Sequence, residues 1–164
     1  MIEQLRVDDR LIHGQVALMW SKVLGTKGII VANDGAANDK MVAATLKMAC
    51  PSSQKLLIKT VSDVKQIIND PRSKKMSIFL LVNCVKDALA LVEASQKMIK
   101  EVNIANVGRF VNSDKAKIFA SVELTSDEFE AARKLCTYNI PVFHQVTPID
   151  PKLDFASAIN EQKN

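Results

Sequence analysis

Residues 2–32 read IEQLRVDDRLIHGQVALMWSKVLGTKGIIVA, and three periodicities follow one another within them. Residues 2–7 favour an extended strand. Residues 15–24 set Val16, Met19, Trp20 and Val23 at the spacing of one helical face, and residues 28–32 form an unbroken apolar run. Gly25 and Gly28 bracket the end of the helix. A strand that passes through an amphipathic helix into a wholly apolar strand is a βαβ unit. The second strand lacks polar alternation because a parallel sheet is covered on both faces.

The same cycle recurs along the chain. Residues 38–49 carry Met41, Thr45 and Met48 along a helix stopped by Pro51. A third strand is expected over 55–59, a short helix over 62–68 capped by Ser62, a buried fourth strand over 76–82 and a helix over 87–95. Residues 102–107 read as a strand ending in the tight corner Asn106-Val107-Gly108, and 117–124 as one or two short strands. Thr125 caps a helix that runs through Cys136, with Glu128 completing a capping box. A last strand over 141–146 precedes a terminal helix over 150–161 with Pro151 in its first turn. The expected architecture is an α/β fold: a single domain, residues 1–164, with a doubly wound, mainly parallel sheet and helices on both faces. No internal repeat or linker interrupts it, and 164 residues suit one sizeable core better than two.

Composition narrows the class. A content of 48% hydrophobic and 24% charged residues matches a soluble globular protein rather than a disordered one. No apolar run approaches the roughly 20 residues needed to span a bilayer, and the N-terminus lacks the segments of a signal peptide. A cytoplasmic protein with at most peripheral membrane contact is expected. Cys50, Cys84 and Cys136 are odd in number and widely spread, without metal-ligand spacing, and read as reduced core thiols. The net charge of +4 rests on scattered lysines, and Trp20 and Tyr138 offer little base stacking, so no nucleic-acid partner is expected. A basic surface suits acidic partner proteins instead.

The densest polar cluster, Arg6-Val7-Asp8-Asp9-Arg10-Leu11-Ile12-His13-Gly14, falls where the first strand ends and the first helix begins. In open parallel sheets ligands collect outside the carboxyl ends of strands, and a helix N-terminus turns unpaired amides toward an anion. Arg10 has the planar fork to grip phosphate oxygens and Arg6 can support it. Gly14, followed by Gln15, lets the backbone come close. Asp8 or Asp9 is placed to orient the His13 imidazole so that its free nitrogen faces phosphorus. On spacing alone His13 fits two roles, nucleophile or helix cap. The glycine pattern of a nucleotide cradle does not follow the strand, and no cofactor is expected. A metal is disfavoured because His13, Asp8 and Asp9 supply at most three ligands and His144 lies on a distant strand. Asp34 and Asn106 end equivalent loops after their strands and, with Gly108, are candidates to line the site, although Asp and Asn also form turns on their own account. Trp20 and Met19 read as core, and His144 as a strand residue without a role.

Beyond these readings, RVDDRLIHGQV at residues 6–16, with Trp20 following, resembles the active-site motif of one family of enzyme IIB subunits of the bacterial phosphoenolpyruvate-dependent sugar phosphotransferase system. That family is the mannose/fructose/sorbose one, which also has N-acetylgalactosamine members. The resemblance continues through IIVANDGAAND (29–39), LKMACP (46–51), NVG (106–108) and, loosely, VTPID (146–150), nearly the whole chain. It implies a histidine at the place of His13 that accepts a phosphoryl group from enzyme IIA and gives it to a sugar brought by membrane subunits IIC and IID. It also implies supporting roles for Arg10 and Asp8. The family usually has an acidic residue where Asn33 stands, glycine and methionine where Arg109 and Phe110 stand, and arginine near Gln145. Arg109 then reads either as an added phosphate or partner contact or as an exposed side chain without a role. The rival class is a regulatory or binding module of related fold, a receiver-like domain phosphorylated on aspartate or a degenerate IIB, which Asp8 and Asp9 keep open.

Overall fold

Strands without a polar face have to be covered on both sides, and helices in two layers do this here. The computed structural model describes residues 1–162, so the last two residues of the expected domain lie outside the described ones. The chain begins with β1 (Ile2–Asp8), α1 (Gly14–Leu24), β2 (Gly28–Ala32), α2 (Asp34–Asn38) and α3 (Lys40–Ala49). Next come β3 (Lys55–Lys59), α4 (Val61–Asn69), β4 (Ile78–Val82), α5 (Val85–Ser95) and β5 (Val102–Asn106). The strands β6 (Ala116–Phe119) and β7 (Val122–Leu124) lead into α6 (Ser126–Leu135), β8 (Val142–His144), β9 (Leu153–Asp154) and α7 (Phe155–Glu161).

One sheet takes seven strands in the order β3-β2-β4-β1-β5-β8-β9. Its pairings are parallel except for β9, which returns antiparallel along β8. β6 and β7 pair with each other as a separate antiparallel ribbon. β1 lies between β4 and β5, so the chain leaves it toward one half of the sheet and later crosses to the other half. The helix after β1 covers one face and the helix after β4 the opposite one. At such a reversal the loops diverge and a crevice opens at the carboxyl ends of the strands.

Alternation along the strands divides the core in two. Ile29 and Val31 of β2, with Phe79 and Leu81 of β4, meet Ala17 and Trp20 of α1 and Leu46 of α3. Ile30, Ile78, Leu80 and Val82 point the other way, onto Val64 and Ile68 of α4 and Leu91 and Val92 of α5. The doubly wound arrangement, with helices on both faces, is the one expected from the sequence.

Several element ends differ from the expected ones, each for a local reason. Asp39 breaks the expected 38–49 helix, because its extended backbone lets the carboxylate accept from the amides of Met41 and Val42 and start α3 afresh. Thr60, not Ser62, caps α4 by accepting from the Asp63 amide. β4 starts at Ile78 rather than 76, since residues 71–75 wind into a 3-10 turn that Met76 closes. The terminal helix begins at Phe155, not 150. Asp150 turns back on Thr147, residues 153–154 add a strand, and Asp154 caps from below by accepting from Ser157. The capping box at Thr125 is half formed. Thr125 accepts from the Glu128 amide, but the Glu128 carboxylate reaches across to the Lys86 amide at 2.9 Å and caps α5 instead, which is why that helix starts two residues earlier than expected.

Gly108 follows β5 with φ +95°, and a Cβ there would stand 1.9 Å from the Glu123 carbonyl oxygen. Gly108→Ala is therefore expected to lower the unfolding free energy by at least about 2 kcal/mol, read as a lower urea midpoint. An unchanged midpoint would show that the β7 backbone yields without cost.

Candidate functional site

β1 sends Leu5 and Val7 into one half of the core, and its other face carries Gln4, Arg6 and Asp8. All three polar side chains are buried, Arg6 at 1% exposure and Asp8 at 0%. Buried charges persist only when donors and acceptors are supplied to them. Arg6 donates to Asp8 Oδ2 from Nε (3.3 Å) and Nη2 (3.1 Å), and from Nη1 to the Gln145 carbonyl (3.3 Å). Its guanidinium lies 5.6 Å from the centre of the Trp20 ring, and the Trp20 indole donates to the Val146 carbonyl at 3.0 Å. Asn103 on β5 pairs with Gln145 in both directions, donating to its carbonyl and accepting from its amide. The segment after β8 is thereby held against the polar face.

Asp8 is the hub of the cluster. Besides Arg6 it accepts from the Arg10 amide (3.1 Å), from Asn106 Nδ2 (3.2 Å) and from His13 Nε2 (3.0 Å). Burial pushes the carboxyl pKa up, but the hydrogen bond from His13 and the charge of Arg6, with smaller help from the Arg10 amide, outweigh it and leave the group below its ordinary value. The imidazole, 27% exposed, is thus gripped through Nε2 and turns Nδ1 away from the carboxylate.

The loop that carries His13 is bent by its own backbone. Leu11 donates to the Asp8 carbonyl at 2.9 Å and adopts φ +59°, a left-handed conformation that costs a leucine about 1–2 kcal/mol. Leu11 and Ile12 are buried beside Trp20, and that burial offsets the strain. His13 then sits at the N-cap of α1 with an extended backbone and no side-chain cap, and Gly14 opens the helix at φ +50°. The first turn of α1 contains no acidic residue, so its free amides face the loop without a competing carboxylate.

The structure separates the expected site residues. Asp8, His13 and Asn106 meet at one point. Arg10 is exposed, and among the described residues its side chain makes no hydrogen bond or ion pair, so it is free to close on an anion. Arg6 does not support phosphate directly, because it is buried on Asp8. Asp9 does not orient the imidazole: Arg109 Nε donates to its Oδ2 at 3.1 Å and Nη2 lies 2.9 Å from Oδ1. Arg109 is therefore not an idle surface residue, since it ties the loop after β5 to the loop after β1. Gly14 and Gln15 stand at the start of α1, Gln15 exposed. Asp34 faces a different task, accepting from the Val61 amide at 2.9 Å, and Gly108 lies against β7. His144 belongs to the core, stacked 4.2 Å from Phe119 with Nδ1 donating to the Ile104 carbonyl. Sequence reading missed Gln4, Asn103 and the Gln145 main chain. The signal was present in the period-two spacing of polar residues 4, 6 and 8 along a strand.

Three comparisons with known proteins agree on family and fold. Residues 2–164 match the family described as PTS system sorbose subfamily IIB component. A probable phosphotransferase enzyme IIB component of Streptococcus pyogenes is 44% identical over 164 residues, covering 98% of this chain and 100% of that protein. The crystal structure of the IIBSor domain of the sorbose permease from Klebsiella pneumoniae superposes with a TM-score of 0.88 at 28% identity, covering 98% of this chain and 97% of that one. A PTS-dependent N-acetyl-galactosamine IIB component from Streptococcus pyogenes does so with a TM-score of 0.82 at 32% identity, covering 95% and 96%.

Removing the hub leaves Arg6 buried without its counter-ion. Asp8→Ala is expected to destabilise the fold by about 3–5 kcal/mol at neutral pH, measured by urea unfolding. A depressed carboxyl pKa stabilises the fold above the unfolded value near 4 and is lost as pH falls through the folded value, so the gap between the two proteins should narrow in acid. A gap that is constant down to pH 2 would remove Asp8 as its source.

Proposed function

The chain belongs to the PTS sorbose-subfamily IIB components, which act in phosphoryl transfer during sugar uptake, and from that premise we propose that His13 is the phosphoryl carrier. The supporting observation is the grip of Asp8 on His13 Nε2, which leaves Nδ1 as the ring nitrogen that meets phosphorus. In this reading enzyme IIA is the donor and the sugar, presented by membrane subunits IIC and IID, is the acceptor. The chain works in the cytoplasm at the inner face of the membrane and uses no cofactor.

The lone pair of Nδ1 attacks the phosphorus carried by the donor histidine, and the donor nitrogen leaves with the bonding pair. His13 keeps its proton on Nε2 throughout, so the phosphorylated ring is cationic and the Asp8 carboxylate neutralises it. That charge keeps the imidazole a good leaving group for the second step. There a sugar hydroxyl bonds to phosphorus and releases its proton to solvent, and His13 departs as neutral imidazole. The transition state is loose, so positioning and charge do most of the catalysis. Arg10 and the amides of the first turn of α1 are the groups that meet the phosphoryl oxygens.

Two rival nucleophiles fit less well. Cys84 stands just past β4 at the same end of the sheet, but burial pushes its thiol up to about 12, where little thiolate exists at neutral pH. Asp8 is enclosed by donors and has no exposed oxygen, which weighs against a receiver-like aspartyl phosphate.

Phosphoryl transfer from the IIA partner tests the assignment. His13→Ala removes one donor from the buried Asp8 carboxylate and is expected to fold with a lowered unfolding midpoint and to accept no label. Label on the wild type should be lost in acid and kept in base, with nitrogen NMR placing the phosphoryl group on Nδ1. Acid-labile label retained on His13→Ala would defeat the reading. Arg10→Ala should fold normally and transfer about 10–100-fold more slowly, from loss of one charged contact to the phosphoryl group, and an unchanged single-turnover rate would take Arg10 out of the mechanism.

A further inference from the structure

The charge of this chain is one-sided. Residues 14–60, which build the α1–α3 layer and the edge strand β3, contain six lysines and two aspartates, a net charge equal to the +4 of the whole chain. The six are Lys22, Lys27, Lys40, Lys47, Lys55 and Lys59, all exposed, and among the described residues none pairs with a carboxylate. Elsewhere Lys86, Lys100, Lys115, Lys134 and Lys152 are paired and, among the described residues, Lys65, Lys74, Lys75, Lys97 and Lys117 are not, but acidic residues there balance the charge. The two aspartates of the layer accept from backbone amides, Asp39 from those of Met41 and Val42 and Asp34 from that of Val61, and neither meets a lysine.

Apolar side chains rise from the same layer. α3 buries Leu46 against the sheet, and Met41 and Met48, two turns apart on the opposite side, are 80% and 89% exposed. Lys40 and Lys47 flank them. Val23, 66% exposed and next to Lys22, ends α1 at the same border of the sheet, where Thr26 and Gln54 tie the loop after α1 to the loop before β3.

We propose that this face, centred on the outer side of α3, docks on an anionic phospholipid surface. Unpaired lysines beside protruding apolar side chains are the pattern of an interfacial helix: the ammonium groups meet lipid phosphates while the apolar tips enter the boundary of the acyl region. α3 starts at the carboxyl end of β2, the end of the sheet that holds His13, so a chain lying on this face keeps the His13 loop close to the bilayer. The docking does not depend on the phosphoryl chemistry of His13.

Co-sedimentation of the full chain with phosphatidylcholine vesicles, with and without phosphatidylglycerol, tests the proposal in the absence of any phosphoryl donor. Binding is expected on the phosphatidylglycerol vesicles only, and should fall as salt is raised. The double variant K40E/K47E should partition about 30-fold or more weakly. M41S/M48S should bind several-fold more weakly at unchanged salt dependence, and K74E/K75E, which reverses two unpaired lysines away from the face, should bind like the wild type. Unaltered thermal transitions establish that the variants are folded. Failure to bind phosphatidylglycerol vesicles, or equal loss in K74E/K75E and K40E/K47E, overturns the proposal. Phosphoryl acceptance by K40E/K47E at the wild-type rate keeps the outcome separate from the role of His13.

Discussion

The carboxylate of Asp8 has to hold a full negative charge with no exposure to water, and most of the structure around the carboxyl end of β1 follows from that requirement. Arg6 is buried because Asp8 needs a counter-ion at its own depth. Asn106 is drawn in from β5, the Arg10 amide is turned inward by the bend of the loop, and His13 supplies the remaining donor. Each donor comes from a different part of the chain. Asp8 therefore joins the sheet, the loop and the helix N-terminus into one unit, and the orientation of the imidazole is a by-product of satisfying a buried charge.

Around this hub the backbone stores a small strain and the core holds it in place. Leu11 takes a left-handed conformation only because its side chain and that of Ile12 are buried beside Trp20. The same indole reaches the Val146 carbonyl and faces the Arg6 guanidinium, so a residue of the hydrophobic layer also closes the polar one. From the far side Arg109 fastens Asp9, which joins the loop after β5 to the loop after β1.

Burial holds two of the thiols in their protonated form. Cys84 and Cys136 are pushed up to about 12 and about 11, where they remain protonated in neutral solution. The His13 imidazole is 27% exposed, with Nδ1 turned away from the Asp8 carboxylate. Solved chains whose descriptions carry different sugars, sorbose and N-acetyl-galactosamine, share this fold at high structural similarity.

Strand and helix alternation, the doubly wound class and the loop containing Asp8, Arg10 and His13 were legible in residues 2–32, because hydrophobic periodicity and helix-start chemistry are local. The lysines read as scattered along the sequence, and their gathering on one layer emerged only with the fold, since pairing depends on which carboxylates fold near. Spacing alone left Asp8 and Asp9 equivalent, and Asn106 either a lining residue or a turn former. Their roles separated when parallel pairing brought Asp8 opposite Asn106 and burial on the same strand face set Arg6 against Asp8. Glu128 was read as the partner of Thr125, yet it caps α5 because packing of α6 on α5 brings the Lys86 amide within reach. Local pattern determines what an element is and where a polar cluster lies; which charge meets which partner is decided by burial, because only groups withdrawn from water must find one another.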